Sequence, residues 1–166
     1  MGARAQIITC IKIENNKIFP FFVVHRQWAE GTDLLLEIMD IMSFIYSNRP
    51  YNLNEEYFRD NFEKKLNKKF HLWGDNIFGT DESIKCFFDT EKWKSFDNNL
   101  GYAKLMIEMK ADGAFTGCLQ LLNHDFIPIT LNDWREKFLR YDEKNDADAF
   151  YSGFKSLMQW YEIDVV

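Results

Sequence analysis

Cysteine, proline and glycine are all scarce in this chain, and each shortage closes off a class of protein. Three cysteines, Cys10, Cys86 and Cys118, stand far apart in 166 residues. An odd, scattered set fits free thiols in a reducing compartment better than a disulfide framework. With 3 Pro and 8 Gly against 46% hydrophobic and 17% aromatic residues, the composition is globular and aromatic-rich, neither collagen-like nor disordered. Positive charge is also in deficit. A formal net charge of −6 sets any phosphate-contacting surface against the overall field, which disfavours direct nucleic-acid binding. Long apolar runs are missing as well: the longest, at 33 to 47, carries Asp33, Glu37 and Asp40 and falls short of the ~20 residues that cross a bilayer. The opening MGARAQIITCIKIENN alternates and is broken by Lys12 and Glu14, unlike a signal peptide. These absences give the expectation of a cytoplasmic protein without a membrane span. The length predicts one domain over 1–166 that buries about two thirds of the unfolded chain's surface.

What is present is a regular alternation of patterns. AQIITCIKIE and KIFPFFVVHRQW flank Asn15-Asn16, and asparagine tolerates the positive φ of a two-residue hairpin turn. Counting outward from the turn pairs Glu14 with Lys17, Cys10 with Phe21, Gln6 with His25 and Arg4 with Gln27. One face then carries Ile7, Ile11, Ile13, Ile18, Phe22 and Val24, a core face, while Arg4, Gln6, His25 and Gln27 gather on the other. Pro20 lacks a ladder donor, which makes the second strand an edge over part of its length. From Thr32 or Asp33, a natural N-cap, a helix follows whose polar residues Asp33, Glu37, Asp40 and Ser47 fall on one stripe. Asn54 caps a further predicted helix, with Glu55 and Glu56 in its first turn and Lys64, Lys65, Lys68 and Lys69 near its end, a charge order that complements the helix dipole.

Residues 71 to 101 support neither period and read as an irregular insert with a short helix after Thr80. Asp112-Gly113 then marks a second hairpin. Thr130 with Asp133 starts a helix through Trp134 and Phe138, and Asp146 or Asp148 starts another that presents Phe150, Phe154, Leu157, Met158 and Tyr161. The predicted fold class is α+β: two β-hairpins in a mainly antiparallel four-stranded sheet, with about four helices packed on one face. Whether the inner strands of the two hairpins pair in parallel is left open by the sequence.

Reactive residue types are present, but their spacing is poor. His25 lies four residues beyond the partner of Cys10, about 13 Å along a strand, too far for a catalytic dyad. His25, His71 and His124 show no metal-ligand spacing with the cysteines, and AEGTDLLL lacks the glycines and lysine of a phosphate loop. No metal or cofactor is expected. The best candidate ligand site is Arg4, Gln6, His25 and Gln27, a fixed cation, a titratable ring and two amides at one hairpin end. Arg26, Trp28 and Thr32 stand beside them at the strand-to-helix junction and read as structural. Asp142, Glu143, Asp146 and Asp148 form an acidic run that either caps a helix or offers an interaction surface.

The stretch MGARAQI, followed by a hairpin and HRQW ahead of a helix, resembles a group of small phage and prophage proteins of uncharacterised function. Their pattern starts Met-Gly-(Thr/Ala)-Arg-(Ser/Ala) and has Tyr-x-His-Trp-Asp-Gly or Arg-His-Trp-Asp-Gly after the second strand. Met1, Gly2, Arg4 and Trp28 match, with Arg26 in some versions, within about the first 35 residues. Gln27 stands where that group has histidine and Ala29 where it has aspartate, so chemistry resting on those two does not carry over. The resemblance implies a mobile-element origin. Together with the acidity and the aromatic content, it gives the expectation of a non-enzymatic accessory protein that binds another protein, in its sharpest form an inhibitor of a host defence nuclease. The alternative is a small enzyme or an anion-binding protein using the hairpin cluster. A monomer or an edge-strand homodimer is expected.

Overall fold

The computed structural model describes residues 4–13, 17–26, 33–49, 64–65, 71–72, 84–88, 101–110, 113–138 and 144–166. In chain order the elements are β1 (Ala5–Ile13), β2 (Lys17–Arg26), α1 (Asp33–Ser47), β3 (His71–Leu72), β4 (Ile84–Phe88), β5 (Tyr102–Met109), β6 (Phe115–Leu122) and β7 (Pro128–Ile129). Helices α2 (Leu131–Phe138) and α3 (Lys144–Trp160) follow, and then β8 (Ile163–Val165). The fold is α+β. The sheet is larger than predicted, with eight strands in the order β3-β4-β2-β1-β5-β6-β7 and β8 also paired to β6. Three helices are described in place of four. The helix expected over 54–70 lies outside the described residues apart from Lys64 and Lys65, which are helical.

Both hairpins form. Gln6 pairs with His25 and Cys10 with Phe21, as alternation requires, but a bulge between Cys10 and Lys12 shifts the register, so Ile13 and not Glu14 meets Lys17. Pro20 lies in the stretch the bulge skips, and β4 reaches only Phe22 to Arg26. The missing N–H is therefore tolerated where neither ladder needs it. The hairpins join through parallel pairing of β1 with β5, Gln6 opposite Tyr102 through Ile13 opposite Met109. The sheet is thus mixed, where a mainly antiparallel one was predicted.

The supposed insert at 71–101 contains two strands, β4 antiparallel to β2 and β3 parallel to β4. IKCFF is β-branched and aromatic, yet its five residues are too short to show a period, and its pairing partner lies some sixty residues back. That non-local ladder decides the structure of residues 84–88, and the stretch directly after Thr80, where a short helix was expected, lies outside the described residues.

Strand alternation sends Ala5, Ile7, Ile11, Val24, Ala103, Leu105, Ile107, Leu119 and Leu121 to one face of the sheet. They form a single cluster with Leu34, Leu35, Ile38, Ile41, Met42 and Ile45 of α1, Leu131 and Trp134 of α2, and Tyr151, Phe154 and Met158 of α3. All three described helices therefore cover the same face. Thr130 caps α2 as expected, its hydroxyl accepting from the Asp133 N–H at 3.0 Å. Trp134 and Phe154 are the largest fully buried side chains, each contributing about 3–5 kcal/mol against truncation.

Candidate functional site

The predicted cluster at the end of the first hairpin is half sealed. Gln6 and His25 are 0% and 1% exposed and stand directly across the ladder, with the Gln6 amide Nε2 3.4 Å from the His25 Nδ1. When that amide donates, Nδ1 accepts and the ring carries its proton on Nε2. Arg4 is half-buried beside them. Arg26 occupies the next ladder position, opposite Ala5 and Ile84. Gln27, Trp28 and Thr32 lie outside the described residues.

Sequence reasoning missed how far this row extends. Register places Lys85 opposite His25, His71 opposite Lys85, and Tyr102 opposite Gln6. One row across β3, β4, β2, β1 and β5 thus reads His71, Lys85, His25, Gln6, Tyr102. Only the strand character of IKCFF could have exposed it. Gln6 and His25 are both covered and lie in contact across the ladder.

Two rows further on, Cys10, Met106 and Cys118 stand side by side on β1, β5 and β6. Both cysteines are free, and two strand spacings, about 9.6 Å, exceed the reach of a disulfide. Burial pushes the Cys10 thiol up, and the Lys104 ammonium only partly opposes this. It is protonated and poorly nucleophilic at neutral pH. Among the described residues no group of three His, Cys, Asp or Glu side chains is placed to hold a metal ion, and no helix is long and apolar enough to cross a membrane.

The acidic run is only partly described. Asp142 and Glu143 lie outside the described residues, while Asp146 and Asp148 fall within the first turns of α3. Asp148 forms an ion pair with Arg135 of α2. Asp148 is therefore engaged within the protein, tying α2 to α3.

The open surface lies at the other end of the sheet. A cleft of about 1080 Å³ runs beside β6 and β8, with Lys12, Glu108, Thr116 and Cys118 among its lining residues. Next to it, where α1, α3 and the second hairpin all end, an aromatic cluster reaches solvent. Trp160 is 64% exposed, with its ring 5.4 Å from Tyr46 and 5.0 Å from Tyr161. Tyr46 also meets Phe115 at 5.6 Å. The Arg49 guanidinium lies 3.7 Å over the Tyr46 ring and donates to the Gly113 carbonyl at 3.1 Å. Sequence periodicity identified the buried stripe of α3 but gave no signal that its exposed Trp160 would meet α1. Comparison with protein-family models, with curated proteins and with solved structures finds no match to this chain.

Proposed function

We propose that this chain acts by binding another protein and has no catalytic activity of its own. The observation that carries the reading is the exposed Trp160, held in a fixed cluster with Tyr46, Tyr161 and Arg49. Tryptophan, tyrosine and arginine are the residues most enriched at the energetic centres of interfaces. A large aromatic ring already held by its neighbours also loses little freedom on binding. The sealed Gln6–His25 pair weighs against a small-molecule site at the first hairpin.

In its sharpest form, the reading is a phage-type accessory protein of the cytoplasm that inhibits a host defence nuclease. The support for this is the net charge of −6, which attracts a basic partner and repels nucleic acid, together with the N-terminal resemblance.

The test is affinity capture from a host lysate with three tagged proteins, each first confirmed as folded by its melting curve. Wild type and Arg4→Ala/His25→Ala should retain one stoichiometric partner, and Trp160→Ala/Arg49→Ala should lose it. A partner kept by the tryptophan variant and lost by the histidine variant would overturn the reading in favour of the hairpin site. Absence of any partner at micromolar concentration would count equally against it.

A further inference from the structure

We infer that the open half of the sheet's second face is a self-association surface: two copies of this chain pack it face to face about a two-fold axis at Met106, with Lys104 of each copy against Glu108 of the other. This goes beyond the protein-binding reading, because it uses the face opposite the described helices and a second copy of the chain itself.

Strand alternation gives the sheet two faces, and the described helices cover one of them. On the other face the two hairpins differ. Over the first, Gln6, Ile8, Val23 and His25 are at most 4% exposed, so that half is closed. Over the second, Lys104 is exposed, and Met106, Glu108, Thr116, Cys118 and Gln120 are half-buried. Register sets Lys104 beside Gln120, Met106 beside Cys118 and Glu108 beside Thr116, which makes one continuous patch. Apolar groups flank it. The Phe126 ring, 48% exposed, lies 4.3 Å from the Tyr102 ring at one end, and Val166, 62% exposed, stands at the edge.

Charge decides the occupant. Lys104 and Glu108 stand two residues either side of Met106, each about 6.6 Å from it at strand rise. Among the described residues neither forms an ion pair. A two-fold axis lying between the two faces and crossing β5 at Met106 reverses the strand. It lays Lys104 over the Glu108 of the other copy, Glu108 over its Lys104, and Thr116 over its Gln120, with Met106 and Cys118 on their own counterparts. Sheets packed face to face stand about 10 Å apart, a gap that a lysine and a glutamate side chain span together. The remaining charges, Lys12 on β1 and Glu162 and Asp164 at β8, fall at the rim of the patch, where water screens them.

Size sets the strength. The eight residues of β5 extend about 26 Å, and β5, β6 and β8 together about 14 Å across, on the order of 400 Å² per copy. That is roughly half of a standard interface, which calls for a weak, reversible dimer with a dissociation constant on the order of 100 µM.

The test is sedimentation equilibrium of the full-length protein, at concentrations up to about tenfold above that value. Wild type should be a reversible dimer. Lys104→Glu and Glu108→Lys, each confirmed as folded by circular dichroism, should each weaken it at least about tenfold, because like charges then oppose one another twice in the pair. An equimolar mixture of the two variants should associate again, since the glutamates of one meet the lysines of the other. The Lys104→Glu/Glu108→Lys double variant should recover for the same reason. A monomer throughout, association indifferent to either single change, or no recovery in the mixture would overturn the inference. So would a dimer abolished by Trp160→Ala, which would put the contact on the aromatic cluster instead.

Discussion

The two ends of the sheet differ in which polar and aromatic groups they leave open. At the end of the first hairpin, an imidazole and an amide with catalytic potential are shut inside, with Gln6 at 0% and His25 at 1% exposure. At the far end the exposed groups include an indole and an arginine stacked on tyrosine, beside a cleft whose lining holds Lys12, Glu108 and the free thiol of Cys118.

Four substitutions break or sharpen that contrast. The largest effect is expected from Gly117→Ala. A Cβ there would lie 2.1 Å from the Met106 carbonyl oxygen of β5 and 2.9 Å from the Ile163 Cδ1, so β6 must shift against β5 even if the Ile163 side chain turns aside. Denaturant melts should show a loss of about 3 kcal/mol, toward the upper end for overpacking, and the exposed end should lose partner capture with it. Next is His25→Ala, which removes the 3.4 Å contact to the Gln6 amide and empties a buried position; it should cost about 2 kcal/mol of stability while leaving capture intact. Loss of capture here would break the contrast. Trp160→Ala should do the opposite, weakening the partner by about 2 kcal/mol with less than about 1 kcal/mol change in folding, separable by calorimetry and thermal melts. Smallest is Glu162→Gly. Glu162 joins α3 to β8 at φ 57, the left-handed region where glycine avoids a Cβ clash, so the variant should gain about 1 kcal/mol. Partner capture should be unchanged.

How much of this was legible depends on the range of the forces involved. Part of the register of the first hairpin followed from local alternation, since Gln6 does meet His25 and Cys10 meets Phe21, whereas beside the turn Ile13 takes the place expected of Glu14 opposite Lys17. The α3 stripe was equally plain, since Phe154 and Met158 fall on one side at helical spacing and are fully buried. What escaped was whatever a distant strand decides. β3, β7 and β8 have two, two and three residues, too few for any period to show, and exist because a longer ladder accepts them. The bulge at Cys10 was hidden for a related reason, since turn chemistry specifies one register and the sheet imposes another. Lys85 and His71 could not be added to the polar row until β4 was known to lie beside β2.

The parallel junction of β1 with β5 has a consequence in time. Gln6 waits for Tyr102, 96 positions further along the chain, and at roughly 5–20 residues per second of synthesis that wait is about 5–20 s. Throughout it the first hairpin is complete but one of its edges, that of β1, has no neighbour, and a search across so long a loop is entropically slow even once the strand arrives. The step that closes the sheet is therefore late, and a nascent chain stalled before residue 102 presents an unpaired β1 edge, open to association with other chains.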